Sequence, residues 1–141
     1  MRVSEARDGD RVLRGHVLVA PGGTRHCEVR RYGGECRIKL QEGAKVSGHV
    51  PAVDVLFESL AEHVGINARG CLLTGMGADG AAGLARMRQA GARTIAQDRE
   101  SAVVWGMPRA AYELGAAERL ASLTVVPALL MQWASSRATA T

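Results

Sequence analysis

Apolar positions along this chain follow two periods, and the alternation between them sets out its architecture. From Val53 to Val64 they fall at 53, 56, 57, 60, 61 and 64, the stripe of an amphipathic helix. Pro51 and Asp54 suit the start of that helix, and Gly65 suits the position just past its end. Residues 16–20 (HVLVA) read as a short strand ended by Pro21-Gly22-Gly23. Residues 27–32 and 35–40 flank Gly33-Gly34, which predicts a hairpin with Val29 opposite Ile38 and Cys27 opposite Leu40 on one apolar face. Glu28 then faces Lys39 on the other side, a favourable cross-strand pair.

Residues 69–74 (RGCLLT) read as a buried strand. A glycine-rich loop, 75–80, leads from it into a helix that runs to about Ala90 and is stopped by Gly91. Thr94-Ile95-Ala96 is the next strand, Pro108 begins a helix that Gly115 ends, and Leu120–Val126 holds a final strand. A terminal helix follows from Pro127 to about Ser135, and residues 136–141 form a fraying tail. Strands alternating with helices predict the α/β class: a three-layer α/β/α arrangement with a largely parallel sheet and the hairpin as an antiparallel appendage.

Composition narrows the function classes. Aromatic residues make up only 4% of the chain and its arginines are scattered, so the formal charge of +4 reads as a solvated surface, without nucleic-acid binding. Cys27, Cys36 and Cys71 have no C-x-x-C spacing, so no metal site is expected, and a reducing, cytoplasmic setting is. The charged N-terminus is not a signal-peptide core, and Val125–Met131 is too short and too broken by Pro127 for membrane insertion.

The loop after strand 69–74 carries the candidate chemistry, since ligands of open α/β sheets bind beyond the carboxyl ends of strands. Gly75-x-Gly77-x-x-Gly80 matches a dinucleotide fingerprint, and Asp98 stands near the ribose-binding offset. Against this, Asp79 would place a carboxylate where a pyrophosphate must sit. Residue types alone favour Asp79 as the N-cap of its own helix. A third reading makes it the orienting acid of a hydrolase triad, holding a histidine in one tautomer and stabilising the imidazolium that forms.

Several segments together resemble the CheB-type protein-glutamate methylesterases. They are Ala20-Pro21-Gly22-Gly23-x-x-His26, Gly48-His49-x-Pro51-x-Val53-Asp54-Val55-Leu56-Phe57, the run Leu72–Leu84 containing Gly75-Met76-Gly77-Ala78-Asp79-Gly80, Ala96-Gln97-Asp98, and Val103-Val104-Trp105-Gly106-Met107-Pro108-Arg109-x-Ala111. The resemblance implies an α/β hydrolase acting without a cofactor on glutamyl methyl esters of chemoreceptor cytoplasmic helices, with glutamine deamidation in many members. It implies that Asp79 is the catalytic aspartate and that Met76 lines the site, its amide suited to an oxyanion hole. It makes 1–135 a truncated catalytic domain, with N-terminal strands of the family fold and a response-regulator domain outside this chain.

The family's nucleophilic serine follows a first strand in a glycine-rich turn, and Ser4, Ser47, Ser59, Ser101, Ser122, Ser135 and Ser136 all lie elsewhere. His16, His26, His49 and His63 read as structural or surface residues. Only the aspartate of the triad is therefore expected here, which leaves an inactive receptor- or regulator-binding remnant as the alternative function. Sheet surface left uncovered by the missing strands would favour a homodimer.

Overall fold

A computed structural model describes residues 1–136, so the expected fraying of 137–141 lies outside the described residues. The strands are β1 (Arg2–Glu5), β2 (His16–Val19), β3 (Arg25–Tyr32), β4 (Glu35–Glu42), β5 (Arg69–Leu72), β6 (Arg93–Gln97) and β7 (Arg119–Ala121). The helices are α1 (Val53–His63), α2 (Ala81–Gln89), α3 (Met107–Glu113) and α4 (Val126–Ser135), with a single 3-10 turn at Gly65–Asn67.

The parallel sheet runs in the order β5-β6-β7 and pairs Leu72 with Ala96 and Ile95 with Arg119. Alternation along its strands divides its residues between two layers. Leu72 and Ala96 pack with Leu84 and Met87 of α2 and Ala111 of α3. Cys71, Ile95 and Ala121 pack on the other side with Val126, Leu129 and Trp133 of α4. Helices on both faces explain why these strands read as continuous apolar runs. Gly70 is required here because a Cβ would stand 2.5 Å from a Leu84 methyl.

The β3–β4 hairpin forms in the expected register, with Val29 opposite Ile38, Cys27 opposite Leu40 and Glu28 opposite Lys39. Its buried face packs on Leu56 and Leu60 of α1 and on Val64 just past its end. The α1 stripe is thus shared between the hairpin and α2, which Phe57 and Ala61 also meet. Ser59, buried on the same helix, takes the Val29 N–H at 2.9 Å and gives its own proton to the Leu56 carbonyl at 2.7 Å. Loop residues 8–12 close the outer edge of β4 through Gly9 N–H to Ile38 O and Val12 N–H to Cys36 O, at 2.8 and 2.9 Å.

Three differences from the expected elements have local causes. Strand β1 was not anticipated; it forms by parallel pairing with β2, Arg2 opposite His16 through Glu5 opposite Val19. The strand expected over 69–74 ends at Leu72, because the Thr74 N–H donates to the Gln97 side chain at 2.7 Å rather than to a neighbouring strand. The strand expected over Leu120–Val126 stops at Ala121, since the Ser122 carbonyl receives the Val125 and Val126 amides and turns the chain into α4.

Candidate functional site

The loops after β5 and β6 meet at the carboxyl ends of the parallel strands. The β5–α2 loop is stitched to residues 104–107 by Gly75 N–H to Val104 O at 3.0 Å, and by the Gly106 and Met107 amides to Gly75 O at 3.1 and 2.8 Å. Gly106 allows this approach, because a Cβ there would lie 2.7 Å from the Gly75 carbonyl oxygen. Gln97 at the end of β6 locks the arrangement: its Oε1 accepts the Thr74 amide, its Nε2 donates to the Ser101 carbonyl at 2.9 Å, and its own carbonyl accepts the Trp105 indole N–H at 2.9 Å.

Asp79 stands in this loop and is 5% exposed. Its Oδ2 accepts the Val53 N–H and its Oδ1 the Asp54 N–H, both at 2.9 Å. The residues expected to receive it are therefore corrected: Asp79 does not cap its own helix α2 but the N-terminus of α1. The first turn of α2 is served from the opposite direction. Asp54 Oδ1 accepts the Gly80 and Gly83 amides at 3.0 and 2.7 Å, and Asp54 Oδ2 accepts the Ser47 hydroxyl at 2.8 Å. Neither helix has a side-chain cap at its own N-cap residue, Ala52 or Gly80. Each carboxylate is stabilised by charge-assisted bonds and by the positive end of the other helix.

This arrangement removes the support for a dinucleotide site. Two first-turn amides of α2 that a phosphate would use are bonded to Asp54, and Asp98 accepts the Ser101 amide and hydroxyl within its own turn. Met76, by contrast, is 82% exposed on the loop, and its amide has no hydrogen-bond partner among the described residues.

The histidines are accounted for separately. His26 is buried, its Nε2–H donating to the Ala44 carbonyl at 2.7 Å and its Nδ1 accepting the Ala52 N–H at 3.1 Å. Both ring nitrogens are spent on the backbone that leads into α1. His49 is exposed, and His63 is half-buried beside Glu62 at 3.9 Å. Ser4 Oγ and His16 Nε2 lie 2.8 Å apart across β1 and β2, a contact not anticipated from sequence. No carboxylate bonds the second ring nitrogen among the described residues, and the pair sits on a sheet separate from the Asp79 loop. Burial pushes the Cys71 thiol up to about 11, and burial followed by the charge of Glu28 raises Cys27, so neither supplies a thiolate nucleophile at neutral pH. No cluster of metal-ligating side chains occurs among the described residues.

A parallel sheet covered on both faces, with a buried carboxylate in the loop beyond a strand end, defines an α/β protein whose candidate site lies at the carboxyl ends of its strands. The sequence pattern of the family described as CheB methylesterase matches residues 1–130. A protein-glutamate methylesterase/protein-glutamine glutaminase of Sulfurimonas denitrificans is 54% identical over 137 residues, covering 97% of this chain and 39% of that protein. One from Pseudomonas aeruginosa is 56% identical over 137 residues, with the same shares of 97% and 39%. The crystal structure of the Thermotoga maritima CheB methylesterase catalytic domain superposes with a TM-score of 0.87 at 34% identity, covering 91% of this chain and 67% of that one. The chain belongs to the CheB methylesterase family. It spans 39% of the length of the curated relatives quoted, and no helix among the described residues is long and apolar enough to cross a membrane.

Proposed function

We propose that this chain provides the aspartate and the oxyanion-binding loop of a Ser-His-Asp site that hydrolyses glutamyl methyl esters on chemoreceptors. The observation that carries the proposal is the Asp79 carboxylate, buried and pinned by two backbone N–H groups in the loop after β5. Each oxygen keeps acceptor capacity beyond its one backbone bond, so the group can also receive an imidazole N–H. In that role it holds the histidine in the tautomer that accepts the serine proton and then stabilises the imidazolium. The serine oxygen attacks the ester carbonyl, the Met76 N–H stabilises the negative charge that develops on the carbonyl oxygen, and methanol leaves carrying the proton returned by the imidazole. Water then releases the glutamate. Deamidation of glutamine follows the same course with ammonia as the leaving group.

Among the described residues no histidine bonds Asp79, and neither the Ser47 hydroxyl, which bonds Asp54, nor the Thr74 hydroxyl, which bonds the Val104 backbone, is paired with one. The alternative is that the chain by itself docks receptors or a response-regulator partner without turning over ester. The exposed apolar residues of the β1–β2 pair, Val3, Val17 and Val19, are the surface through which two copies would associate. Ester hydrolysis by the purified 141-residue chain, with Asp79→Asn as its control, separates the readings. The expected result is background turnover from both; activity that is lost in the variant would show a complete triad within this chain.

A further inference from the structure

We infer that Asp54 is a positioning residue for Asp79, an inference that rests on the catalytic reading of Asp79 above. The two carboxylates form a closed exchange. Asp79 takes the amides of Val53 and Asp54 at the start of α1, and Asp54 takes those of Gly80 and Gly83 at the start of α2. Gly80 directly follows Asp79, so the Asp54–Gly80 bond fixes the very peptide from which the catalytic carboxylate projects. Asp54 is 4% exposed, and no cation pairs with it among the described residues; its negative charge is balanced by the α2 N-terminus and the Ser47 hydroxyl.

The helices leave the exchange no slack. A Cβ on Gly83 would lie 2.7 Å from Phe57 Cβ and 3.1 Å from Asp54 Cα, so α1 and α2 touch through backbone at this point. Gly80 has φ +95°, a left-handed conformation that suits glycine and that the Asp54 bond holds in place. Removing the Asp54 carboxylate frees two buried amides and the loop end together, whereas the site needs Asp79 placed to a fraction of an ångström.

The two carboxylates also differ in what they tolerate. Asp54 receives both amides on Oδ1 and a rotatable hydroxyl on Oδ2, so an asparagine at 54 keeps the amide bonds while Ser47 turns to accept from its Nδ2. Asp79 receives one amide on each oxygen, so an asparagine at 79 must set an N–H against an N–H.

The test measures methyl-ester hydrolysis on methylated receptor membranes by a polypeptide that joins this chain to a segment supplying the serine and histidine of the proposed site, with kcat and KM separated and melting temperature read alongside. Asp54→Ala is expected to lower kcat about 10- to 100-fold with KM within about threefold, since transition-state geometry is lost and not receptor binding. Asp54→Asn is expected to recover most of that loss, and Asp79→Asn to abolish turnover. Should the alanine variant not fold, Asp54→Glu, which moves the carboxylate by one methylene, takes its place with about a tenfold loss in kcat. Unchanged kcat in Asp54→Ala or Asp54→Glu beside an inactive Asp79→Asn overturns the positioning role and leaves the catalytic reading standing. Equal loss in Asp54→Asn and Asp54→Ala also overturns it, because the bonds that asparagine preserves would then be irrelevant. An active Asp79→Asn overturns the catalytic reading itself.

Discussion

The two parallel assemblies of this molecule share a backbone pattern and differ in what covers them. β5-β6-β7 is enclosed by α2 and α3 on one face and α4 on the other, with Leu84, Met87 and Ile95 at 0% exposure. β1–β2 has no helix of its own among the described residues; Leu18 reaches the hairpin cluster, but Val3 is 64% exposed. Paired strands are therefore not sufficient for a core; the helical layers are what remove apolar surface from water. The carboxylate exchange sits in the enclosed assembly, where desolvation strengthens each bond and leaves an unmet one costly.

Truncation in the two places separates them most sharply. Leu84→Ala is expected to cost about 2–5 kcal/mol in urea-induced unfolding, because a fully buried side chain is removed from between α2 and the sheet. Val3→Ser is expected to stay within about 0.5 kcal/mol, as an exposed position contributes little. Similar losses at both would mean that β1–β2 is covered in solution, as association of two copies through that surface would produce.

A smaller effect tests the electrostatics that tie β6 to the segment before β7. Arg93 bonds Glu118 at 2.6 Å and lies over the Trp133 ring at 4.7 Å. Burial raises the Glu118 carboxyl, but the hydrogen bonds from Arg93 and the Thr94 amide and the charges of Arg93 and Arg88 outweigh it and hold it below its ordinary value. A carboxyl lowered in the folded state contributes stability that is present above its unfolded pKa and lost as pH falls through the folded one. Glu118→Gln is expected to cost less than about 1 kcal/mol at pH 7, since the arginine is half exposed, with the difference from wild type vanishing well below about pH 4. A difference that grows on acidification would contradict the assignment.

Legibility from sequence followed the same division between local and distant causes. The hairpin register was readable because Gly33-Gly34 fixes the turn and the pairing follows from it. The α1 stripe was readable from its period, within one residue at its end. β1 was not, because Arg2-Val3-Ser4-Glu5 has one apolar residue and becomes a strand only through β2. Leu73 and Thr74 look like strand residues, and only the Gln97 side chain, 23 residues away, diverts the backbone. At the candidate site, motif resemblance singled out Asp79 and Met76, yet residue type suggested that Asp54 serves the first turn of its own helix and that Asp79 caps its own. Their backbone partners lie 25 to 29 residues away, and no periodicity carries that information.

The central claim is that the carboxylate of Asp79 orients the catalytic imidazole. Methanol release from methylated receptors by this chain joined to a segment that supplies the serine and histidine, unaltered against Asp79→Asn, tests it most directly. Loss of a triad aspartate lowers kcat by about 10⁴-fold in the serine-protease precedent, and because asparagine at 79 also sets an N–H against a backbone N–H of α1, a fall of at least that order is expected here. Turnover within about tenfold of wild type, in a variant that melts as the wild type does, would contradict the account.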